Sequence, residues 1–238
     1  MQWSGEGLLI GVRRHGETSV IAEVMVAGRG RTLGLVRGGR SSRLAATLQP
    51  GNTVQVVWRA RLEEHLGTFA VELIDARAAD LIIDRTRLYA CQVLCDHLRL
   101  LPERDPHDRL LALAVDVLDE GRDTHGLAVE LARFELALLD GLGFGLDLES
   151  CAATGTTEGL THVSPRTGRA VSRAAAAPYA DRLLALPAFL LADVPASATD
   201  IAAAFRLTGH FLHTHVWEAR AIAPPAMREA LLAEFSRL

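Results

Sequence analysis

The chain contains no lysine. All 25 of its basic residues are arginine, which removes a phosphate-loop lysine, a Schiff-base lysine and a lysine general base together. ATPase and pyridoxal-type chemistry are poor fits for that reason. Cysteine is scarce: the three residues at 91, 95 and 151 are an odd number with no disulfide spacing, which suits a reducing cytosol. Aromatic residues make up only 5% of the 238 positions. Charge interrupts every apolar run before it reaches the roughly 18 residues of a membrane span. The opening MQWSGEGLLIGVRRHGE has no basic stretch ahead of an apolar core, so no secretion signal and no membrane partner are expected, and the expected location is cytoplasmic. With 49% hydrophobic and 23% charged residues, the chain reads as an ordinary globular protein long enough for one or two domains.

Charge is unevenly spread. The net charge is −4, yet residues 1–61 hold nine arginines against three glutamates. Residues 62–80 add one arginine and five acids, and residues 81–238 carry 15 arginines against 21 acids. The densest basic stretch, RGRTLGLVRGGRSSR at 29–43, contains five arginines and four glycines around one short apolar run. Such asymmetry is a statement about partners.

The hydrophobic period divides the chain in two. Up to about residue 76 it is that of strands. Glu6–Val12 is a short apolar run ending in a turn at Arg13-Arg14-His15-Gly16, Ser19–Val26 is β-branched, and Arg31–Val36 stops at Gly38-Gly39. Thr53–Arg61 alternates, with Val54, Val56, Trp58 and Ala60 on one face and Arg59 and Arg61 on the other; Thr68–Ile74 alternates with Phe69, Val71 and Leu73 inward. Five short strands in about 75 residues predict a small closed barrel, of OB or SH3-like type on pattern alone. From residue 81 the period is helical. Helices are expected over Asp84–Leu101, from Pro106, over Gly126–Leu142, near 198–219 (capped by Ser197 or Thr199) and near 225–237, with a loop at 149–178. The fold class is therefore α+β and multidomain: a barrel over 1–80 followed by a mostly α-helical domain over 81–238.

Candidate sites are few. Cys91 and Cys95 share a helix face but lack further ligands, so they read as core. His210 and His213 have a possible ligand spacing with no acidic partner behind it. GLGFG at 141–145 ends a helix where a dinucleotide loop must begin one, so Gly141 or Gly143 reads as a C-cap. No nucleophile elbow is present, and no catalytic residue is assigned. The arginines of the first region differ, because turn and face positions keep them out of the core. Arg13, Arg14, Arg29, Arg31, Arg37, Arg40, Arg43, Arg59 and Arg61 are the candidate nucleic-acid contacts. Guanidinium groups take phosphate through paired hydrogen bonds, and a basic barrel face can track a single strand.

Several ordered strings carry a resemblance. GVRRHGETSVIAEVM, GLVRGGRSSR, LQPGN and ARLEEHLGTF are similar to the barrel of the bacterial recombination mediator RecO family. ARFELALLDGLGF, CAATG, HVSPRTGRAVS, LTGHFLHTHV and PPAMREALL continue it through the helical part. The resemblance implies an OB-fold with a helical domain, no enzyme activity and no cofactor. It implies a nucleoid-associated protein of DNA repair and recombination that binds single- and double-stranded DNA and anneals complementary strands. The implied partners are RecR, the acidic C-terminal tail of single-strand-binding protein and, indirectly, RecA, in the RecFOR pathway. Arg133, with Phe134 and Leu138 as adjacent apolar surface, is the carried-over site for that tail. Some members hold zinc with four cysteines; here those positions read Cys151, Thr154, Ser172 and Ala175, a zinc-finger-like loop without its ligand set, so no metal is expected. Two other readings compete: a metal-dependent nucleic-acid hydrolase using the His and Asp residues of the helical domain, and an RNA-binding barrel module.

Overall fold

The structure, a computed structural model, describes residues 1–62, 64–118 and 121–238. Contacts group the chain into two units, Met1–Glu120 and Gly121–Leu238.

The first unit runs β1 (Gln2–His15), β2 (Ser19–Val26), β3 (Gly30–Val36), α1 (Ser42–Ala45), β4 (Thr53–Arg59), β5 (Thr68–Asp75), α2 (Arg77–Leu81), α3 (Arg85–Leu98) and α4 (Asp108–Val117). The strands close in the order β1-β2-β3-β5-β4, with β4 returning to β1. That order is the OB barrel, and it resolves the choice that pattern alone left open. Strand β1 is longer than the apolar run implied because it serves two partners. Its first half pairs with β4, from Gln2↔Arg59 to Leu8↔Thr53, and its second with β2, from Gly7↔Val26 to His15↔Ser19. A register shift between Leu9 and Gly11 bends it between the two. Arg13, Arg14 and His15 therefore lie in the strand, not in a turn; the turn is Gly16-Glu17-Thr18, with Gly16 at φ +62°. The single parallel joint, β3 to β5, consists of Leu35↔Thr68 with the Leu35 N–H donating to the Gly67 carbonyl at 3.0 Å.

Alternation on β4 holds: Val54, Val56 and Trp58 are buried among Leu9, Val20, Ala22, Val24, Val26, Val36 and Phe69. On β5 it fails at the far end, where Leu73 is 41% exposed. The register there slips between Thr53 and Val54, and β5 has run past the core. Leu8, Ile10, Ile21 and Met25 lie outside the barrel's interior cluster yet are buried, because α3 packs against β1.

The second unit runs α5 (Thr124–Gly141), β6 (Leu160–Val163), β7 (Ala170–Ser172), α6 (Arg173–Ala176), β8 (Leu184–Ala185), α7 (Ala198–Leu212), a π-helical turn at His213–Trp217, and α8 (Arg228–Phe235). The stretch 149–178 is thus not simply a loop; it contributes β6, β7 and α6 to a small sheet of order β7-β6-β8. Caps set the helix limits. Ser197 and Asp200 form a reciprocal capping box, and the Ser197 hydroxyl and N–H hold the Asp200 carboxyl below its usual range. At the end of α5, Gly143 (φ +83°) donates to Asp140 and Phe144 to Leu139, closing the helix as its glycine spacing predicts. Glu135 of α5 is completely buried, with its carboxylate held by Arg228 of α8 at 2.8 and 2.9 Å and by the Thr208 hydroxyl of α7. Among the described residues no helix is long and apolar enough to cross a membrane.

Candidate nucleic-acid interface

Strand register gathers five of the nine arginines. β2 and β3 are antiparallel, with Val20 opposite Val36, so the chain leaving β3 emerges beside the β1–β2 turn. Arg13 and Arg14 sit opposite Ile21 and Val20 at that end of β1. Arg37, Arg40 and Arg43 follow β3 there. Arg40 ties the two segments together: its N–H donates to the Thr18 carbonyl at 3.1 Å and its guanidinium to the Glu17 carbonyl at 2.5 Å. All five are exposed. The guanidinium groups of Arg13, Arg14, Arg37 and Arg43 have no hydrogen-bond or ionic partner among the described residues.

The glycine-rich stretch is anchored. Gly38 turns at φ +65°, and at Gly39 a Cβ would lie 2.5 Å from the Val20 side chain. Leu44 and Leu48 then plug the barrel core. The loop therefore presents its guanidinium groups from a fixed base, with Glu17 the only acid in residues 13–19 and 37–43. Forked donors on a rigid turn suit phosphate oxygens, and the β1–β2 loop is one of the positions from which OB barrels bind oligonucleotides.

The other four arginines lie elsewhere. Arg31 is tied into the fold. It donates to Glu23 and, at 2.8 Å, to the Leu101 carbonyl, and Arg99 of the α3 C-cap takes the other Glu23 oxygen at 3.1 Å. Its side chain is 17% exposed. Arg29, on the β2–β3 turn at the opposite end of that hairpin, lies 4.5 Å over the Trp3 ring. Arg59 hydrogen-bonds Gln2 at 3.0 Å. Arg61 lies beyond the end of β4 and so shares no strand face with Arg59.

In the second unit the docking residues are placed differently from expectation. Phe134 and Leu138 are both 0% exposed and offer no surface; they belong to the core stripe of α5. The Arg133 guanidinium brackets the chain at 189–192, donating to the Phe189 carbonyl at 3.1–3.2 Å and to Glu130 at 3.0 Å. A feature that sequence reasoning missed lies between α7 and α8, a cleft of about 650 Å³ lined by Ile201, Ala202, Phe205, Leu232 and Phe235 with Arg206 at its side. Arg206 is exposed. Its signal was one arginine interrupting the apolar IAAAFRLTGHF.

The metal-ligand candidates do not converge. Cys91 and Cys95 are buried, and hydrogen bonding to Cys91 together with burial pushes the Cys95 thiol well up. His210 contacts the Pro165 carbonyl at 3.2 Å, and His213 lies edge-on to Trp217. Among the described residues no three His, Cys, Asp or Glu side chains could share a metal ion.

The loop positions 151, 154, 172 and 175 do not fit zinc either. Cys151 is 1% exposed and packs with Leu160, Val171, Ala175, Ala176 and Leu183. The Ser172 N–H donates to its sulfur at 3.2 Å. Hydrogen bonds from the Ser172 and Thr154 side chains outweigh burial and bring the thiol down to about 6. A thiol depressed below its unfolded value of about 8.5 stabilises the folded state once ionised. Relative to a Cys151→Ser variant, the protein should gain stability as pH rises from about 6 toward 9 and lose that gain as pH falls through 6. Paired urea titrations across that range check this, and parallel pH curves would refute it.

Comparison with known proteins gives one answer over the whole chain. Residues 1–77 match the family profile "Recombination protein O N terminal" and residues 83–220 match "Recombination protein O C terminal". Curated relatives named DNA repair protein RecO are similar throughout. The one from Rhizobium etli is 54% identical over 98% of this chain and 91% of its own length. That from Sinorhizobium medicae is 54% identical, covering 98% and 94%, and that from Methylobacterium nodulans 53%, covering 98% and 97%.

Proposed function

The chain belongs to the RecO family, and from that premise we propose how it serves DNA repair and recombination. It acts as a non-enzymatic mediator that binds DNA through the barrel and recruits protein partners through its helices. The observation that carries this reading is the cluster of Arg13, Arg14, Arg37, Arg40 and Arg43 on one end of the barrel, exposed and fixed by the Arg40 link to the β1–β2 turn. Neutralising phosphate on two strands lowers their repulsion, which is the physical requirement for annealing. Residues 1–80 are the DNA-binding part in this reading, 81–238 the helical part, and the cytoplasm the site of action. RecR and RecA are its partners in loading.

Fluorescence anisotropy of a labelled single-stranded oligonucleotide over a salt series tests it. Contact with about four to six phosphates gives log affinity falling with log salt at a slope of roughly −3 to −4. No binding even at low salt would leave the cluster an ordinary solvated surface. Matched DNA and RNA strands in the same assay separate this reading from an RNA-binding module.

The acidic tail of single-strand-binding protein needs a cation beside apolar surface. The α7–α8 cleft supplies both in Arg206 and its Ile201, Phe205 and Phe235 wall, whereas Arg133 is committed to Phe189 and Glu130. Arg206→Glu should weaken binding of a tail peptide at least tenfold in an anisotropy titration. Loss at Arg133→Ala with Arg206→Glu unaffected would return the site to Arg133.

A further inference from the structure

At the end of the barrel away from the arginine loop, a cross-strand tryptophan pair forms one wall of a cavity that the arginine cluster does not explain. Trp3 of β1 and Trp58 of β4 are paired by register and stack with centroids 5.7 Å apart, and Phe69 of β5 meets Trp3 edge-on at 6.2 Å. Trp58 is sealed, 1% exposed, with its indole N–H on the Leu66 carbonyl at 3.1 Å. Trp3 is only half-buried. It lines a cavity of about 220 Å³ with Trp58, Gly28, Arg29, Thr32, Arg104 and Pro106. Cavities of about 150 Å³ already take up a benzene ring.

Two guanidinium groups frame this space. Arg29 lies 4.5 Å over the Trp3 ring and Arg104 lies 6.0 Å from Trp58. Arg104 adopts φ +61°, a left-handed backbone uncommon for a residue with a side chain. It is held there by its N–H on the Arg31 carbonyl and its guanidinium on the His65 carbonyl, both at 2.8 Å. Strain of that kind collects at ligand sites. The turn carrying Arg29 is fixed from the other side, where the Gly28 N–H donates to the Asp108 carboxylate at 2.7 Å. An indole face beside two guanidinium groups suits a planar ring that can stack, with the ring's own phosphate on Arg29.

We propose that this cavity takes one unstacked nucleobase of a single strand, which displaces the Arg29 guanidinium from the Trp3 face, stacks there beside Arg104, and leaves Arg29 to its phosphate. The proposal rests on the DNA-binding reading above and adds to it a contact that duplex DNA, with its bases paired and stacked, cannot make. Every base has a π-face, so the contact is independent of sequence.

The test compares a labelled single strand with the duplex of the same sequence on the full-length protein, with melting curves as a folding control. Trp3→Leu should weaken single-strand binding about tenfold, the size of one stacked base, with duplex affinity and the salt slope unchanged. Arg29→Gln, which leaves the indole in place, should weaken the single strand to a smaller degree and flatten its slope by about 0.7. A strand carrying iodouracil should photocrosslink to the peptide containing Trp3, a readout that does not depend on any variant folding. Wild-type single-strand affinity in a folded Trp3→Leu protein, an equal loss on both DNA forms, or no crosslink would overturn the pocket while leaving the arginine cluster standing. If the unmodified protein binds neither form, the DNA-binding reading falls and the pocket with it.

Discussion

Replacing Arg228 by leucine is expected to lower the stability of the second unit by about 3–5 kcal/mol, the cost of leaving a buried charge without its partner. Glu135 is fully buried, and its two carboxylate oxygens are satisfied by Arg228 and Thr208. Arg228 also donates to the Phe205 carbonyl and lies over the Phe205 and Trp217 rings at 5.9 and 5.5 Å. Burial pulls its ionisation down, but the charge and hydrogen bonds of Glu135 outweigh that and leave it raised, so the guanidinium stays charged wherever the protein is folded. The pair ties α5 to α8, with α7 attached through Thr208. For a unit of this size the loss corresponds to a melting point lower by roughly 10–20 °C. Urea denaturation followed by fluorescence measures it. The double variant Glu135→Leu/Arg228→Met should recover most of the loss, since apolar replacement of a whole buried pair is often neutral. A double variant as unstable as the single would mean that packing around Arg228, not its charge, is what matters.

Replacing Arg37, Arg40 and Arg43 together by alanine should remove about three phosphate contacts. At about 0.7 per contact on single strands, the salt slope moves from roughly −3 or −4 to between about −1 and −2. Affinity at low salt should fall by more than tenfold whatever the strand's sequence. Arg31→Ala is the matched contrast. It removes one cation of the same sequence stretch, but one already spent on Glu23 and the Leu101 carbonyl. That variant should lose stability and keep its salt slope. An unchanged slope in the triple variant would take the loop out of the interface, and a flattened slope in Arg31→Ala would put that residue back.

The barrel was legible in the sequence because its core strands alternate cleanly. Val54, Val56 and Trp58 could be assigned inward from spacing alone, and they are. The limits of β1 were not legible, since a strand shared between two partners continues through polar residues such as Arg13 and Arg14 that pattern assigns to turns. The ties of Arg31 were illegible for a related reason. Its partners are eight and 70 residues away, and no local period reports a glutamate across the ladder or a carbonyl after a helix. Phe134 and Leu138 could have been corrected from the sequence. They lie on the same α5 stripe as Leu127 and Leu131, and one stripe cannot serve both as core and as docking surface. The strands β6, β7 and β8 span four, three and two residues, too few for alternation to register. The tryptophan pair was invisible because Trp3 and Trp58 meet only through the β1–β4 register.

The barrel wall is not uniformly closed. Four of its five joints are antiparallel ladders along most of a strand, while β3 and β5 are held by Leu35↔Thr68 and the adjoining bond to Gly67. That joint is a seam in the backbone ladder, closed chiefly by side chains, since Val36 and Phe69 share one core across it. The Leu35 amide should exchange with solvent deuterium well before those of Val54 and Val56, which are flanked by strands on both sides. The chain leaving β3 at the seam carries Arg37, and the chain entering β5 carries the Leu66 carbonyl that accepts from the Trp58 indole. The two ends of the proposed DNA path thus border the joint with the fewest backbone bonds, the place where amide exchange should first report any loosening of the ring.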